Sequence, residues 1–414
     1  MIEKIINLNN FSLASILLFF ISYQCYSAEK EYSIYIDADF SGTKASSLSI
    51  KQGITTALAE VSNEIQGFSF KLVTKDHRAN SLRSKKNLES YLNDENALLV
   101  FSGLHSPPLL SNKSFINKEQ ILVLDPWAAA GPITRTKLDE NWIFRLSIDD
   151  SNAGTFIVKR AINDGFKNAY LLLEDTGWGK SNRNTMKLAL SEHGIKPKGI
   201  AWFNWGLGLN QAKLILRNIT ESGADVIFFV GNAPEGKIFS KAMIALPGSF
   251  RLPIRSHWGI TGGDFSQVIT KQDRAMLDLQ FIQTNFTFLK ENLSKFELSV
   301  LELAKNNNIE INNKFDIKAQ TGFVHSYDLT KILIAAINQA GLTGNKSVDK
   351  FAIHKALTNL KLPVKGLLKN YEHPFSKYSQ SNQGAHEALS LSDYTMGYFG
   401  DDDEVVLINS SKED

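Results

Sequence analysis

Residues 168–204 read NAYLLLEDTGWGKSNRNTMKLALSEHGIKPKGIAWFN, and their hydrophobic period changes twice along the way. The run from Asn168 to Glu174 has a continuous apolar centre and is too short for a helix, the pattern of a strand buried on both faces of a parallel sheet. Residues 182–193 then space their apolar side chains at helical intervals, and Gly194 stands where left-handed geometry ends a helix cheaply. A second apolar run at 199–204 restores the strand. A strand and helix repeating about every 30 residues match the length of a crossover joining parallel neighbours.

The same unit recurs on both sides. Downstream, strands are expected at 225–230 and 253–257, with helices at 211–222 and 235–245. A helix at 153–164 precedes the quoted stretch, with Ser151 or Asn152 to cap its first N–H groups, and Gly165 and Gly223 close their helices as Gly194 does. An earlier series has strands at 32–39, 68–74, 97–102 and 120–125, with helices at 47–62, 83–92 and 108–115. The expected fold class is therefore α/β, with two doubly wound parallel-sheet lobes joined by a multi-strand hinge. Beyond Gly263 come a strand at 278–286, helices at 293–306, 320–339 and 348–360, and short strands at 394–399 and 405–408. These pieces need a sheet to join, so the chain is expected to return to the first lobe and cross once more. That gives a first lobe over 29–146 and 267–365 and a second over 147–266, completed by 366–414, with linkers near 144–148, 265–271 and 362–371.

Residues 1–27 have the make-up of an export signal: Lys4 in a polar start, an apolar run at 11–21, and small residues at Ser27 and Ala28. A cleaved signal implies the periplasm. Cys25, the single cysteine, falls inside that segment, so a processed chain would contain no disulfide and no thiolate site. Roughly 385 residues then remain, ample for two cores. A net charge of +2 with no dense basic stripe argues against nucleic acid as a partner. A monomer is expected.

In open α/β sheets a ligand sits beyond the carboxyl ends of the strands, which selects the loops to inspect in advance. They hold Gly103-Leu104-His105-Ser106 and Pro126-Trp127-Ala128-Ala129 in the first lobe, and Trp178, Trp205, Asn232 and His257-Trp258-Gly259 in the second. Trp127, Trp178, Trp205 and Trp258 are four of the six tryptophans in the chain. Such a cleft suits a partly apolar small molecule. Ser106, with the amides of the helix turn after it, and the short Ala128 and Ala129 are candidates to hold a carboxylate or carbonyl. Asp125 and His257 are candidates for hydrogen bonding, either at the rim or inside a lobe.

Enzymatic readings each miss a part. Residues 231–237, GNAPEGK, approach a phosphate-binding loop, but Ile238 stands where a hydroxyl must meet magnesium and Pro234 removes an amide. Gly206-Leu207-Gly208 lacks a third glycine, no Gly-x-Ser-x-Gly elbow occurs, and the eight histidines form no His-x-x-x-His pair. A secreted α/β hydrolase stays as an alternative of another class, without an assembled nucleophile, base and oxyanion turn. No catalytic residue, metal or cofactor is expected.

With these residues in place, the chain resembles the type I periplasmic solute-binding proteins, in particular the branched-chain amino-acid (Leu/Ile/Val) binding family of ABC importers. The likeness rests on Gly53 to Ala57, the Gly103 to Ser106 turn, Asp125-Pro126 with Ala128-Ala129-Ala130 before Ile133-Thr134, Gly177-Trp178-Gly179, Gly231 with Pro234-Glu235, and Tyr327-Asp328 before Ala335-Ala336. The resemblance implies hinge closure around a small solute and a membrane permease as partner, or a membrane signalling receptor if the role is sensory. It implies that Ser106 and Ala128-Ala129 hold the ligand's carboxylate, that Trp178 lines the pocket and that Asn232 adds a polar contact; His105 and Trp127 join them as candidates from the strand-end loops. Family members grip the ligand's ammonium with an acid where this chain has His257-Trp258-Gly259. An ordinary amino acid therefore requires Asp125 or another acid in its place; an uncharged, aromatic or anionic solute does not.

Overall fold

The computed structural model describes residues 30–138 and 140–408, and the expected signal at 1–27 lies outside them. Two doubly wound sheets make up the molecule. The first holds β1 (Glu31–Ala38), β2 (Glu64–Ile65), β3 (Phe68–Asp76), β4 (Ala97–Ser102), β5 (Val123–Asp125) and β6 (Ile143–Arg145) in the order β2-β3-β1-β4-β5-β6. Only the β2–β3 pair is antiparallel. Helices α1 (Lys44–Ala59), α2 (Ser81–Asn93) and α3 (Ser106–Lys118) are its crossovers. β4, ALLVFS, is buried at every position, as a central parallel strand covered on both faces must be.

Asp149 opens α4 (Asp150–Asn163), its side chain accepting from Ser151 N at 3.2 Å. The cap is thus two residues before Ser151 and three before Asn152, because a residue still in extended geometry is required there. The second lobe follows with β7 (Ala169–Glu174), α5 (Gly177–Glu192), β8 (Gly199–Phe203), α6 (Leu209–Glu221), β9 (Val226–Val230), α7 (Ala233–Ile244), β10 (Ile254–Ser256), the short α8 (Phe265–Val268) and α9 (Lys271–Arg274), and β11 (Leu279–Thr284). Gly165, Gly194 and Gly223 all have positive φ, which side chains resist.

Helices α10 (Lys295–Asn307), α11 (Gln320–Ala340) and α12 (Lys346–Leu357) pack back onto the first lobe. There α11 lies so close to α1 that a Cβ on Gly53 would stand 2.3 Å from the Phe323 carbonyl oxygen. A hairpin of β12 (Val364–Lys365) and β13 (Asn370–Tyr371) is tied to α11 by Asp328, whose buried carboxylate accepts from Leu367 N, Leu368 N and Tyr371 Oη. Then β14 (Tyr394–Phe399) and β15 (Val405–Ile408) finish the second sheet, ordered β15-β14-β11-β10-β9-β7-β8.

Two of the expected boundaries move. β11 pairs parallel with β10 and antiparallel with β14, so the chain leaves the second lobe after Thr284 and not near 265–271. The last crossing also comes late, after residue 388 rather than at 366, because Ala388 N and His386 O still bond to Arg145 along the edge of the first sheet. The first crossing falls just beyond β6, at 146–149.

A buried ion cluster fastens the first and last crossings together. Arg145, fully buried, donates to Asp149 (2.9 Å), to both oxygens of Glu387 (2.6 and 2.8 Å) and to the carbonyls of Ala128 and Ala130. Arg135 adds a second pair to Asp149 at 2.6 Å, so two cations face two anions. Burial works against Asp149, yet Arg145 and Arg135 hold its carboxyl below the usual range; burial, opposed by Arg145, keeps Glu387 above its own.

Candidate functional site

Strand order reverses at β1 in the first lobe and at β7 in the second, and a doubly wound sheet opens a crevice at such a point. The carboxyl ends of the two sheets face one another across a cleft. Leu104, His105, Ser106, Pro107, Trp127 and Ala129 line it from the first lobe; Glu174, Trp178, Asn232, Trp258 and Gly259 line it from the second. Seven of the nine residues selected from the sequence are therefore brought together: His105, Ser106, Trp127, Ala129, Trp178, Asn232 and Trp258.

Ala128 and His257 stand behind that surface. Ala128 is fully buried and gives its N–H to Asp125 Oδ1 at 2.8 Å. Asp125 also takes the Trp127 N–H and the Ser102 hydroxyl on the same oxygen, so it staples the turn and does not reach the cleft. Burial pushes its carboxyl up to about 7, with Arg145 opposing. His257 accepts Trp258 N–H on Nδ1 (2.9 Å), which leaves Nε2–H to donate to Asp150 Oδ1 at 2.9 Å. The same oxygen receives Trp178 Nε1–H at 3.3 Å. Asp150 thus holds the Trp178 indole, and through His257 it holds the turn that carries Trp258.

The helix turn after Ser106 is poorer in donors than expected, since Pro107 and Pro108 carry no N–H. Ser106 Oγ accepts from Ala130 N at 3.2 Å, and Ala129 N–H has no partner among the described residues. Trp127 Nε1 and His105 Nδ1 are likewise buried without partners. The other nitrogen of His105 meets Asp39 at 3.2 Å. Burial would lift Asp39, but the His105 contact and the Gly42 and Ser41 amides hold it at about 2.

The residue that sequence reasoning passed over is Glu174. It ends β7 at the reversal point and is completely buried. Trp205 Nε1 (3.0 Å) and Asn232 Nδ2 (3.2 Å) donate to one oxygen and Thr176 Oγ1 (2.8 Å) to the other, all of them neutral groups. Burial pushes the carboxyl up to about 7, against those bonds and helped by nearby Glu235. The signal was an acid closing an otherwise apolar strand.

Indoles meet across the cleft, with Trp127 and Trp258 ring centres 5.9 Å apart and His105 and Trp205 rings at 5.5 Å. The space left is about 10 Å³, room for about one water. Contact is close enough that a Cβ on Gly262 would lie 2.0 Å from Leu104 Cδ1. A solute can therefore enter only if the lobes part.

A family model described as periplasmic binding protein matches residues 36–246, just over half of the chain. No curated protein matches the sequence. Among solved structures, a type 1 periplasmic binding protein from Bordetella pertussis Tohama I superposes with a TM-score of 0.74 at 13% identity, over 91% of this chain and 99% of that one. A solute binding protein of an ABC transporter from Rhodopseudomonas palustris HaA2, in complex with p-hydroxybenzoic acid, gives 0.71 at 16% identity over 91% and 95%. A leucine binding protein from Thermotoga maritima MSB8 gives 0.70 at 15% identity over 91% and 97%. At these identities the superpositions establish the fold. With the family match spanning nearly all of the first sheet and the strands β7, β8 and β9 of the second, the chain belongs to the periplasmic binding proteins.

Proposed function

We propose that this chain is the periplasmic substrate-binding protein of an ABC importer, and that its lobes close around a small amino-acid-like solute without chemistry on it. The carrying observation is Glu174, a fully buried carboxylate lining the cleft with only neutral donors around it. A buried acid without a cation is costly, and a ligand's ammonium would supply the missing charge. Glu174 then takes the place of the acid that the turn at His257-Trp258 lacks.

At the opposite wall Ser106, the Ala129 N–H and the Trp127 indole N–H are suited to the ligand's carboxylate. Trp178, Trp258 and Trp127 would enclose its apolar part, with His105 and Asn232 at the sides. On closure both lobes contact one solute, and a membrane permease reads the closed form. The test is native mass spectrometry of protein purified without added ligand, followed by mild denaturation and identification of what is released. A co-purifying zwitterion supports the reading. A bound anion without an ammonium group, or an empty protein that no amino acid stabilises in a thermal-shift screen, would overturn the amino-acid assignment.

A further inference from the structure

Sharing no lining residue with the cleft, a larger cavity of about 710 Å³ opens in the first lobe. Its walls come from α12, the loop before β6 and the connector that leads to the last crossing. Phe351, Ala352 and Tyr378 form the apolar part, and Phe351 is backed edge-on by Trp142 at 5.0 Å. The volume lies in the range of small-molecule pockets.

Two imidazoles sit in this wall with tautomers that their partners define. His354 Nε2 faces the Asn141 carbonyl at 2.8 Å and His386 Nδ1 the Ile143 carbonyl at 2.9 Å, so those nitrogens carry the protons. The remaining nitrogen of His386 is therefore an acceptor. It is buried, without a hydrogen-bond partner, on a side chain that is 0% exposed. Burial pushes both rings toward the neutral form, His386 down to about 3. Among the described residues Lys355 and Lys377 also line the cavity against one acid, Glu140, and neither ammonium is paired there. Among its described residues the cavity combines an aromatic and aliphatic wall, more positive than negative charge and a buried acceptor that lacks a donor.

We infer that this cavity is a second ligand site, for a small aromatic carboxylate that also bears a hydroxyl or N–H group. The ring lies against Phe351, Ala352 and Tyr378, the carboxylate meets Lys355 and Lys377, and the donor satisfies His386 Nε2. The probe is 6-hydroxy-2-naphthoate, whose own fluorescence reports binding to the full chain, with 2-naphthoate as the analogue lacking the donor.

One equivalent of the hydroxynaphthoate should bind saturably, and 2-naphthoate about 5- to 100-fold more weakly, the cost of an unsatisfied buried acceptor. The exposed double substitution Lys355→Glu/Lys377→Glu should weaken binding at least tenfold at unchanged melting temperature, and Ala352→Trp should block it. Hydrogen exchange should show protection within 346–358 and 376–388 on binding. Absence of binding, protection confined to 103–107, 127–130 and 174–178, or affinity within twofold of wild type in the lysine variant would each overturn the assignment.

Discussion

Replacing Glu174 with Gln should move stability and ligand affinity in opposite directions. Gln keeps the shape and can still accept from Trp205 and Asn232, so the substitution chiefly removes the charge. The carboxyl is raised from 4.5 to about 7 by burial. At 1.36 kcal/mol per unit, ionising it in the ligand-free fold costs about 3 kcal/mol. A raised acid contributes stability that is fully present below pH 4.5 and is lost as pH rises through about 7. Glu174→Gln should therefore match wild type near pH 4.5 and exceed it by up to about 3 kcal/mol at pH 8, read from urea unfolding at both pH values. Binding should respond oppositely. A buried ammonium left without its carboxylate loses about 3–5 kcal/mol, roughly a hundredfold to several thousandfold in Kd. Wild-type affinity, by calorimetry with the solute identified from the purified protein, should rise from pH 5 to pH 8 and that of the variant should stay flat. Affinity within threefold of wild type, or tighter binding by the variant, would refute the pairing of Glu174 with a cation.

Other outcomes follow from contacts already described. Gly262→Ala places a methyl against Leu104 across the cleft, so it should favour the open form, enlarge the radius of gyration in X-ray scattering and weaken solute binding while each lobe keeps its melting behaviour. Gly53→Ala forces α1 away from α11 and should cost about 1–3 kcal/mol in denaturant unfolding, the usual price of overpacking. Glu387→Gln leaves the buried guanidinium of Arg145 with one carboxylate fewer and should destabilise by about 3–5 kcal/mol, again read by denaturant. Parting Trp127 from Trp258 should change indole emission; Trp258→Phe should remove most of the solute-induced change in a fluorescence titration.

The repeating strand–helix units were legible because a buried parallel strand such as VIFFV in β9 and a helix ended by a positive-φ glycine leave strong local marks. The loops at the strand ends were legible for the same reason, which is why His105, Trp127, Trp178 and Trp258 could be selected before any geometry. What failed was non-local. Nothing within Leu279–Thr284 tells which sheet it will join, since that depends on a free edge of β10 and on β14, more than a hundred residues later. Glu174 looked like the end of a strand, and only the register with β8 and β9 turns it toward Trp205 and Asn232. Asp125 and Ala128 show the converse: their spacing suited a ligand, but they satisfy one another inside the turn.

The ion cluster at Arg145 gives the molecule a pinned axle. Because Arg145 holds both Asp149, at the first crossing, and Glu387, beside the last, sliding one strand against the other would strip partners from a guanidinium that has no access to water. Rotation about the pin strips none. A swing about this pin is the motion that keeps those partners. Parting the indoles by a few ångströms in the cleft becomes a larger, directed displacement at the far rims.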